Sequence, residues 1–407
     1  MSVKVGVIGG GPAGIIAAGF AGSRGKDVTL IEKNNRLGKK LFITGKGRCN
    51  ITNASPIENF FENITTNRNF LYSGFYSFSN EDVIKLLNAY GLKTKIERGN
   101  RVFPSSDKSS DVIKAFEKFL ISNDVKLQLN KSVQNIYIED EQFIVELLHG
   151  ETLKFDKLIL STGGKSYPLT GSTGDGYEFA KRFGHHIVPL KPSLIPMEIE
   201  EAWVKDLQGL SLKNVKLTAF IDNKRVYEKF GEMIFTHYGI SGPIVLTMSN
   251  QINKYKSNNI KFAIDLKPAL SYEKLDNRIL KDFQIYNNKQ IKNGLDDLLP
   301  KRLIPIIIKN ISIDEETPIN QITKSKRIEL VNILKALPLT FKKFRPIEEA
   351  IVTSGGVSTI EIDPSTMESK IIPGLYFAGE IIDVDGLTGG YNLQIAYSTG
   401  YLAGTNV

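Results

Sequence analysis

Gly9-Gly10-Gly11-Pro12-Ala13-Gly14 gives the strongest indication of the fold. The short apolar run 4–8 precedes it, and small and apolar residues at helical spacing follow over 15–23. Gly9, Gly11 and Gly14 thus supply G-x-G-x-x-G between a strand and a helix. The first glycine permits a tight turn, the second lets backbone approach a pyrophosphate, and the third lets helix pack on strand. Pro12 and Ala13 open the helix, whose free N–H groups and dipole favour negative charge. A second strand at 28–31 runs into Glu32, 23 residues after Gly9. From that position a carboxylate binds ribose hydroxyls and disfavours a 2′-phosphate. The strand–helix–strand order predicts a parallel unit with a right-handed crossover.

NAD and FAD share this arrangement, and later segments discriminate between them. Residues 159–164, Ile-Leu-Ser-Thr-Gly-Gly, look like the second FAD-contacting strand end of two-part flavoproteins, which puts Thr162 and Gly163 at the cofactor. Residues 374–380 form a late apolar strand ending in Gly379 and Glu380, with Asp383 and Asp385 close behind. Which acid holds the cofactor is left open. Gly389, Gly390, Tyr391, Asn392 and Leu393 open a final helix running to 404, whose N-terminus suits the negative charge of a reduced flavin. A plain NAD dehydrogenase does not need this C-terminal return. FAD, bound non-covalently, is the expected cofactor.

The chain has 407 residues, 41% hydrophobic and 24% charged, which predicts two or three globular domains. No apolar run approaches the ~20 residues of a membrane span, and Met1–Lys4 lead into a strand without a secretory pattern, so a cytoplasmic protein is expected. One cysteine and four histidines exclude a disulfide framework and leave no metal site. The net charge of +8 is unevenly placed. Residues 206–345 hold 24 Lys and Arg against 14 Asp and Glu, while the rest holds 28 against 30. A solvated lysine-rich face is the plainer reading of that excess, and nucleic acid a weaker one.

Pro189, Pro192 and Pro196 mark a change of character. Before them, strands are predicted at 125–129, 132–138, 143–148 and 158–160. After them, strands are predicted at 212–221 and 261–266, and helices at 272–283, 291–299, 303–310 and 328–337. The strand-plus-glycine style returns near 351. The fold class is therefore α/β: a doubly wound, Rossmann-like FAD-binding domain (1–189 and 346–407) interrupted by an insertion (190–345), part β and part helical.

The most distinctive segment is 38–53, Gly-Lys-Lys-Leu-Phe-Ile-Thr-Gly-Lys-Gly-Arg-Cys-Asn-Ile-Thr-Asn. With 101–104, 171–177, 235–243, 353–357 and 379–392, it resembles the aminoacetone-oxidase-like (YhiN/BaiN-like) family of bacterial flavoproteins over residues 3 to about 404. The resemblance implies that the insertion is a β-barrel with a small helical part. It also implies cofactor roles for Lys33, Gly38, Lys40, Thr44, Gly47, Arg48, Cys49, Asn50 and Val133. Activities implied are oxidation of a small amino ketone by oxygen, or pyridine-nucleotide-dependent reduction of a steroid enone.

Flavin carries the redox step, and protein groups orient the substrate. His237, Tyr238 and Arg48 are the candidate catalytic residues, histidine because it exchanges protons near neutral pH. Cys49 has no cysteine partner for a dithiol relay and reads as a packing residue. Asp175 and Tyr177 are second choices, beside a glycine turn at the cofactor or substrate. Three functions follow. The first transfers hydride between a small amine or carbonyl compound and flavin N5, with oxygen or another acceptor. The second is an enone reductase fed by NADH or NADPH bound transiently, since no second full G-x-G-x-x-G unit exists. The third, ranked lowest, modifies or binds RNA through the basic insertion, although no aromatic-plus-basic motif supports it.

Overall fold

The computed structural model describes residues 2–257 and 259–407. The chain divides into two compact units, residues 1–193 with 347–407, and residues 194–346.

The first unit is built on five parallel strands, β1 (Lys4–Ile8), β2 (Asp27–Glu32), β3 (Lys126–Leu129), β4 (Lys157–Leu160) and β5 (Leu375–Phe377), in the spatial order β5-β4-β1-β2-β3. Val5 pairs with Val28 and Val7 with Leu30. Val5, Val7, Val28, Leu30, Leu158 and Ile159 are wholly or almost wholly buried, as expected of a parallel sheet covered on both faces. Between β1 and β2 runs α1 (Pro12–Ser23), buried on nearly all sides. The C-terminal helix, α3 (Tyr391–Asn406), lies directly against it. A Cβ on Gly400 would stand 2.4 Å from the Ala13 carbonyl oxygen, and one on Gly404 would stand 2.2 Å from that of Ala17. Two glycines four residues apart, facing two alanines four apart, let the backbones touch. Between β4 and β5 in sequence lies α2 (Asp175–Arg182).

The second unit is a closed six-stranded antiparallel barrel. Its long hairpin, Ser211–Ile221 with Lys224–Phe235, buries Leu212, Val215, Leu217, Ala219 and Ile221, while Ser211, Lys213 and Asn214 are exposed and a register shift falls between Leu212 and Val215. Helices Tyr272–Ile285, Ile304–Asn310 and Lys324–Lys335 sit between strands Ile260–Asp265 and Leu337–Phe344. The barrel and the doubly wound sheet agree with the expected fold class.

Two helix expectations need correction. Residues 291–299 make only one turn, Ile291–Gly294, followed by turns up to Pro300. Gly294 lies so close to Ile319 that a Cβ would meet its Cδ1 at 2.1 Å, and the segment's leucines bury without a continuous helix. The helix placed at 328–337 instead spans Lys324–Lys335, with Thr323 capping the Lys326 N–H. Leu337 precedes Pro338, whose ring disfavours a helical predecessor, and so begins a barrel strand. No helix among the described residues is long and apolar enough to cross a membrane.

Candidate functional site

The chain leaves β1 at Gly9 with φ +107°, a conformation that favours glycine. The Gly9 N–H donates to the Ile31 carbonyl at 2.8 Å, which ties the turn to β2. A Cβ on Gly14 would lie 1.9 Å from the Gly9 carbonyl oxygen, so no other residue lets α1 approach the turn this closely. A Cβ on Gly11, by contrast, would meet nothing within 4 Å. The middle glycine therefore faces open space at the start of α1, where no side chain caps the helix. This is the form expected of a pyrophosphate cradle: bare backbone N–H groups beside room for a phosphate.

Glu32 is buried at the end of β2. One oxygen accepts the Gly10 N–H at 2.7 Å, and the other accepts the Asn34 N–H at 2.8 Å and the Asn34 amide at 2.7 Å. The carboxylate so fixes the glycine turn and retains acceptor capacity for a ribose hydroxyl. The Lys131 N–H donates to the Glu32 carbonyl at 3.0 Å, bringing the strand that begins at Val133 beside the end of β2. On the other side of β1, the buried Thr162 hydroxyl has no hydrogen-bond partner. Gly163 follows in a left-handed conformation, φ +75°. That hydroxyl packs against Gly176 of α2, where a Cβ would lie 2.0 Å from it.

The three acids in the segment after β5 have different surroundings. Gly379, φ +80°, stands on the first turn of α1, with its Cβ position 2.8 Å from the Ala13 Cβ. Glu380 pairs with the Lys40 ammonium at 2.7 Å and accepts the Thr353 N–H at 2.8 Å and the Ser166 hydroxyl at 3.0 Å. Asp383 is bound by the Asn67 amide at 2.9 Å, and burial pushes its carboxyl above the usual carboxylate range. Asp385 is wholly buried and takes hydroxyl bonds from Thr65, Thr66, Ser193 and Ser354. Asp385 is a structural tie. Glu380, next to Gly379, is instead partly exposed.

The 38–53 segment has an unexpected role. Gly38 is left-handed and opens the helix Lys39–Gly47, which Thr44 leaves with ψ 152°. Gly45, Lys46, Gly47 and Cys49 then have φ of +57°, +59°, +81° and +62°. Lys46 and Cys49 carry backbone strain that side chains rarely accept. The Thr44 hydroxyl turns back to the Leu41 carbonyl at 2.7 Å. The Arg48 guanidinium grips Glu97 at 2.8 and 3.3 Å and Asp107 at 3.2 Å, and lies over the Phe103 ring at 4.1 Å. The structure thus places Arg48 in an ion-pair network. Cys49 is fully buried, and burial pushes its thiol up to about 12.

The asparagines of the same segment hold the N-terminus of α3. The Asn50 amide oxygen accepts the Gly390 N–H at 3.1 Å, while its nitrogen donates to the Thr52 carbonyl at 3.0 Å. Asn53 donates to the Gly389 and Gly99 carbonyls, both at 3.0 Å. Thr52 donates to Gln394 at 2.8 Å. Tyr391 is buried against Phe60, with centroids 5.0 Å apart, and Asn392 folds back to bond Gly386 and Leu387. What α3 offers outward is its backbone, at Asn392 and half-buried Leu393, more than those side chains. Lys33 is placed on Asp175 at 2.6 Å and on the Thr173 hydroxyl.

His237 and Tyr238 lie in the second unit, in the turn between strands Lys224–Phe235 and Gly239–Ser241. Their rings meet edge to face at 4.8 Å. The Arg345 guanidinium lies 4.5 Å above the Tyr238 ring and bonds Glu198 at 2.7 Å. The Arg345–Tyr238 and Lys40–Glu380 pairs join residues more than a hundred positions apart, and spacing gives no signal for either. Gln394 is equally silent in sequence.

The family model described as "HI0933-like protein Rossmann domain" matches residues 3–406. The 3-dehydro-bile acid delta(4,6)-reductase of Clostridium scindens is 31% identical, covering 98% of each chain. The ribosomal RNA dihydrouridine synthase of Escherichia coli is 30% identical, covering 97% of this chain and 95% of that one. Among solved structures, the 3-ketosteroid-Δ4-(5α)-dehydrogenase of Rhodococcus jostii RHA1 matches with a TM-score of 0.53 at 15% identity, over 100% of this chain and 96% of that one. A flavocytochrome c3 fumarate reductase matches with a TM-score of 0.50 at 17% identity, over 100% and 78%. These two show a shared fold. With a dinucleotide cradle on a parallel sheet and a family match over almost its whole length, the chain belongs to the HI0933-like family and is an FAD-dependent oxidoreductase.

Proposed function

We propose that this flavoprotein reduces a carbon–carbon double bond conjugated to a carbonyl group. The observation carrying this reading is the pair of relatives of nearly equal similarity, 31% and 30%. One is named for reducing a keto bile acid at its delta(4,6) positions, the other for making dihydrouridine. Dihydrouridine differs from uridine by hydrogen across C5=C6, which is conjugated to the C4 carbonyl. Both names therefore describe addition of hydrogen to an electron-poor alkene.

The Gly9–Gly14 turn and the start of α1 would hold the pyrophosphate, Glu32 the ribose, Glu380 with Lys40 the segment beside Gly379, and the N-terminus of α3 the far end of the flavin. Bound FAD supplies hydride-transfer chemistry. The protein must supply a proton for one alkene carbon and donors for the carbonyl oxygen. His237 and Tyr238, adjacent in the second unit, are by their chemistry candidate proton donors.

Stopped-flow mixing under anaerobic conditions tests the reading. Photoreduced enzyme should be reoxidised by a steroid 4-en-3-one, or by uridine within RNA, and the faster of the two names the substrate class. NADH, NADPH and dithionite are compared as reductants. If neither alkene reoxidises the flavin while aminoacetone bleaches the oxidised enzyme, the reading gives way to amine oxidation.

A further inference from the structure

Two segments flank the glycine turn, one leaving β2 on one side of β1 and one leaving β4 on the other. Side-chain bonds join them. The Lys33 ammonium reaches Asp175 at 2.6 Å and the Thr173 hydroxyl, and the Asn34 amide donates to the Thr170 carbonyl at 3.0 Å. Gly171 fits tightly against this link, because a Cβ there would stand 2.6 Å from the Asn34 amide nitrogen. Asp175 is the first residue of α2, where the helix dipole favours its carboxylate. β1 runs between β2 and β4, and its carboxyl end becomes the Gly9–Gly14 turn. Bonds from one flank to the other therefore cross the end of β1 that carries the cradle.

We propose that residues 165–175, bolted to the end of β2 by Lys33–Asp175, Lys33–Thr173 and Asn34–Thr170, form a strap that controls entry and escape of FAD. This rests on FAD occupying the cradle at Gly11. Lys33 and Asp175 bond to each other, so the bolt acts on the passage of the cofactor and leaves its resting affinity nearly unchanged. Breaking it speeds association and dissociation together. The pair is partly exposed, its side chains 29% and 46% accessible, so salt weakens it.

Release of FAD from holoprotein, followed by recovery of flavin fluorescence, and its uptake by apoprotein, followed by quenching in stopped flow, give both rates. Lys33→Met and Asp175→Asn should each raise both roughly fivefold, the effect of an exposed, hydrogen-bonded ion pair, with Kd within about twofold of wild type. The swapped pair Lys33→Asp with Asp175→Lys should return the rates toward wild type. In the unaltered protein both rates should rise with potassium chloride, a measurement requiring no variant. A weaker Kd with unchanged association would overturn the strap and make Lys33 a direct contact of the cofactor. Unchanged rates in variants that bind FAD would refute the strap alone. Wild-type protein that takes up no FAD would refute the cofactor reading and the strap together.

Discussion

Gly11→Ala and Gly14→Ala change the same motif by the same methyl group, and the structure predicts opposite consequences. At Gly11 the backbone is extended, φ −81° and ψ −177°, which any residue adopts, and the new methyl meets no protein atom within 4 Å. Replacing glycine restricts the unfolded chain, stabilising by about 0.4–1 kcal/mol, while alanine is the poorer N-cap by a similar amount. Apoprotein stability should therefore change by less than about 0.5 kcal/mol. The cofactor fares differently. Phosphate oxygens must come to about 2.9 Å from the first N–H groups of α1. A methyl in that space holds them back, and each charge-assisted bond lost costs about 1.5–3 kcal/mol. A total near 3 kcal/mol is roughly a hundredfold in Kd. At Gly14 the methyl would lie 1.9 Å from the Gly9 carbonyl oxygen, a backbone atom with no freedom to yield, so the fold itself loses at least about 2 kcal/mol. Thermal melts of the two apoproteins, with FAD titration by fluorescence quenching, separate the cases. Gly11→Ala protein that binds FAD within threefold of wild type, or melts as low as Gly14→Ala, would refute this account of the cradle.

Cys49, with its thiol raised to about 12 by burial, should be inert to Ellman's reagent in the folded protein at pH 8, where about one thiol in ten thousand is ionised. One thiol should appear in guanidinium, and rapid reaction of native protein would contradict its placement. His185 has a wholly buried side chain, bonded to Glu361 at 3.1 Å and Ser369 at 2.9 Å, and burial holds its imidazole below the ordinary value. Its proton binds more tightly in the unfolded chain, so stability should fall as pH drops through the ordinary imidazole range near ~6.5. The urea midpoint should accordingly be lower at pH 5.5 than at pH 7.5, with a smaller difference in His185→Gln. An equal pH dependence in that variant would remove His185 as the cause.

The order of residues alone made legible the parallel unit, the glycine turn and the carboxylate at the end of β2. These depend on residues within about thirty positions of each other, where glycine φ, strand hydrophobicity and helix spacing act locally. It also marked 38–53 as unusual, but not for the reason the structure gives. A Gly-rich loop carrying Arg48 and Asn50 suggests direct contacts with a ligand. The tertiary structure instead spends Arg48 on Glu97 and Asp107, and Asn50 and Asn53 on Gly390 and Gly389, the two residues before α3. Among the three acids after Gly379, spacing had no preference. Packing sets them apart, because Asp385 is enclosed by hydroxyls brought from residues 65, 66, 193 and 354, while Glu380 meets Lys40. Such partners come together only when distant strands pack, and the cost of burying an unpaired charge makes the pairing obligatory once they have. The strap has the same origin: Lys33 and Asp175 are 142 positions apart, and only the strand order β4-β1-β2 puts them on opposite sides of one turn.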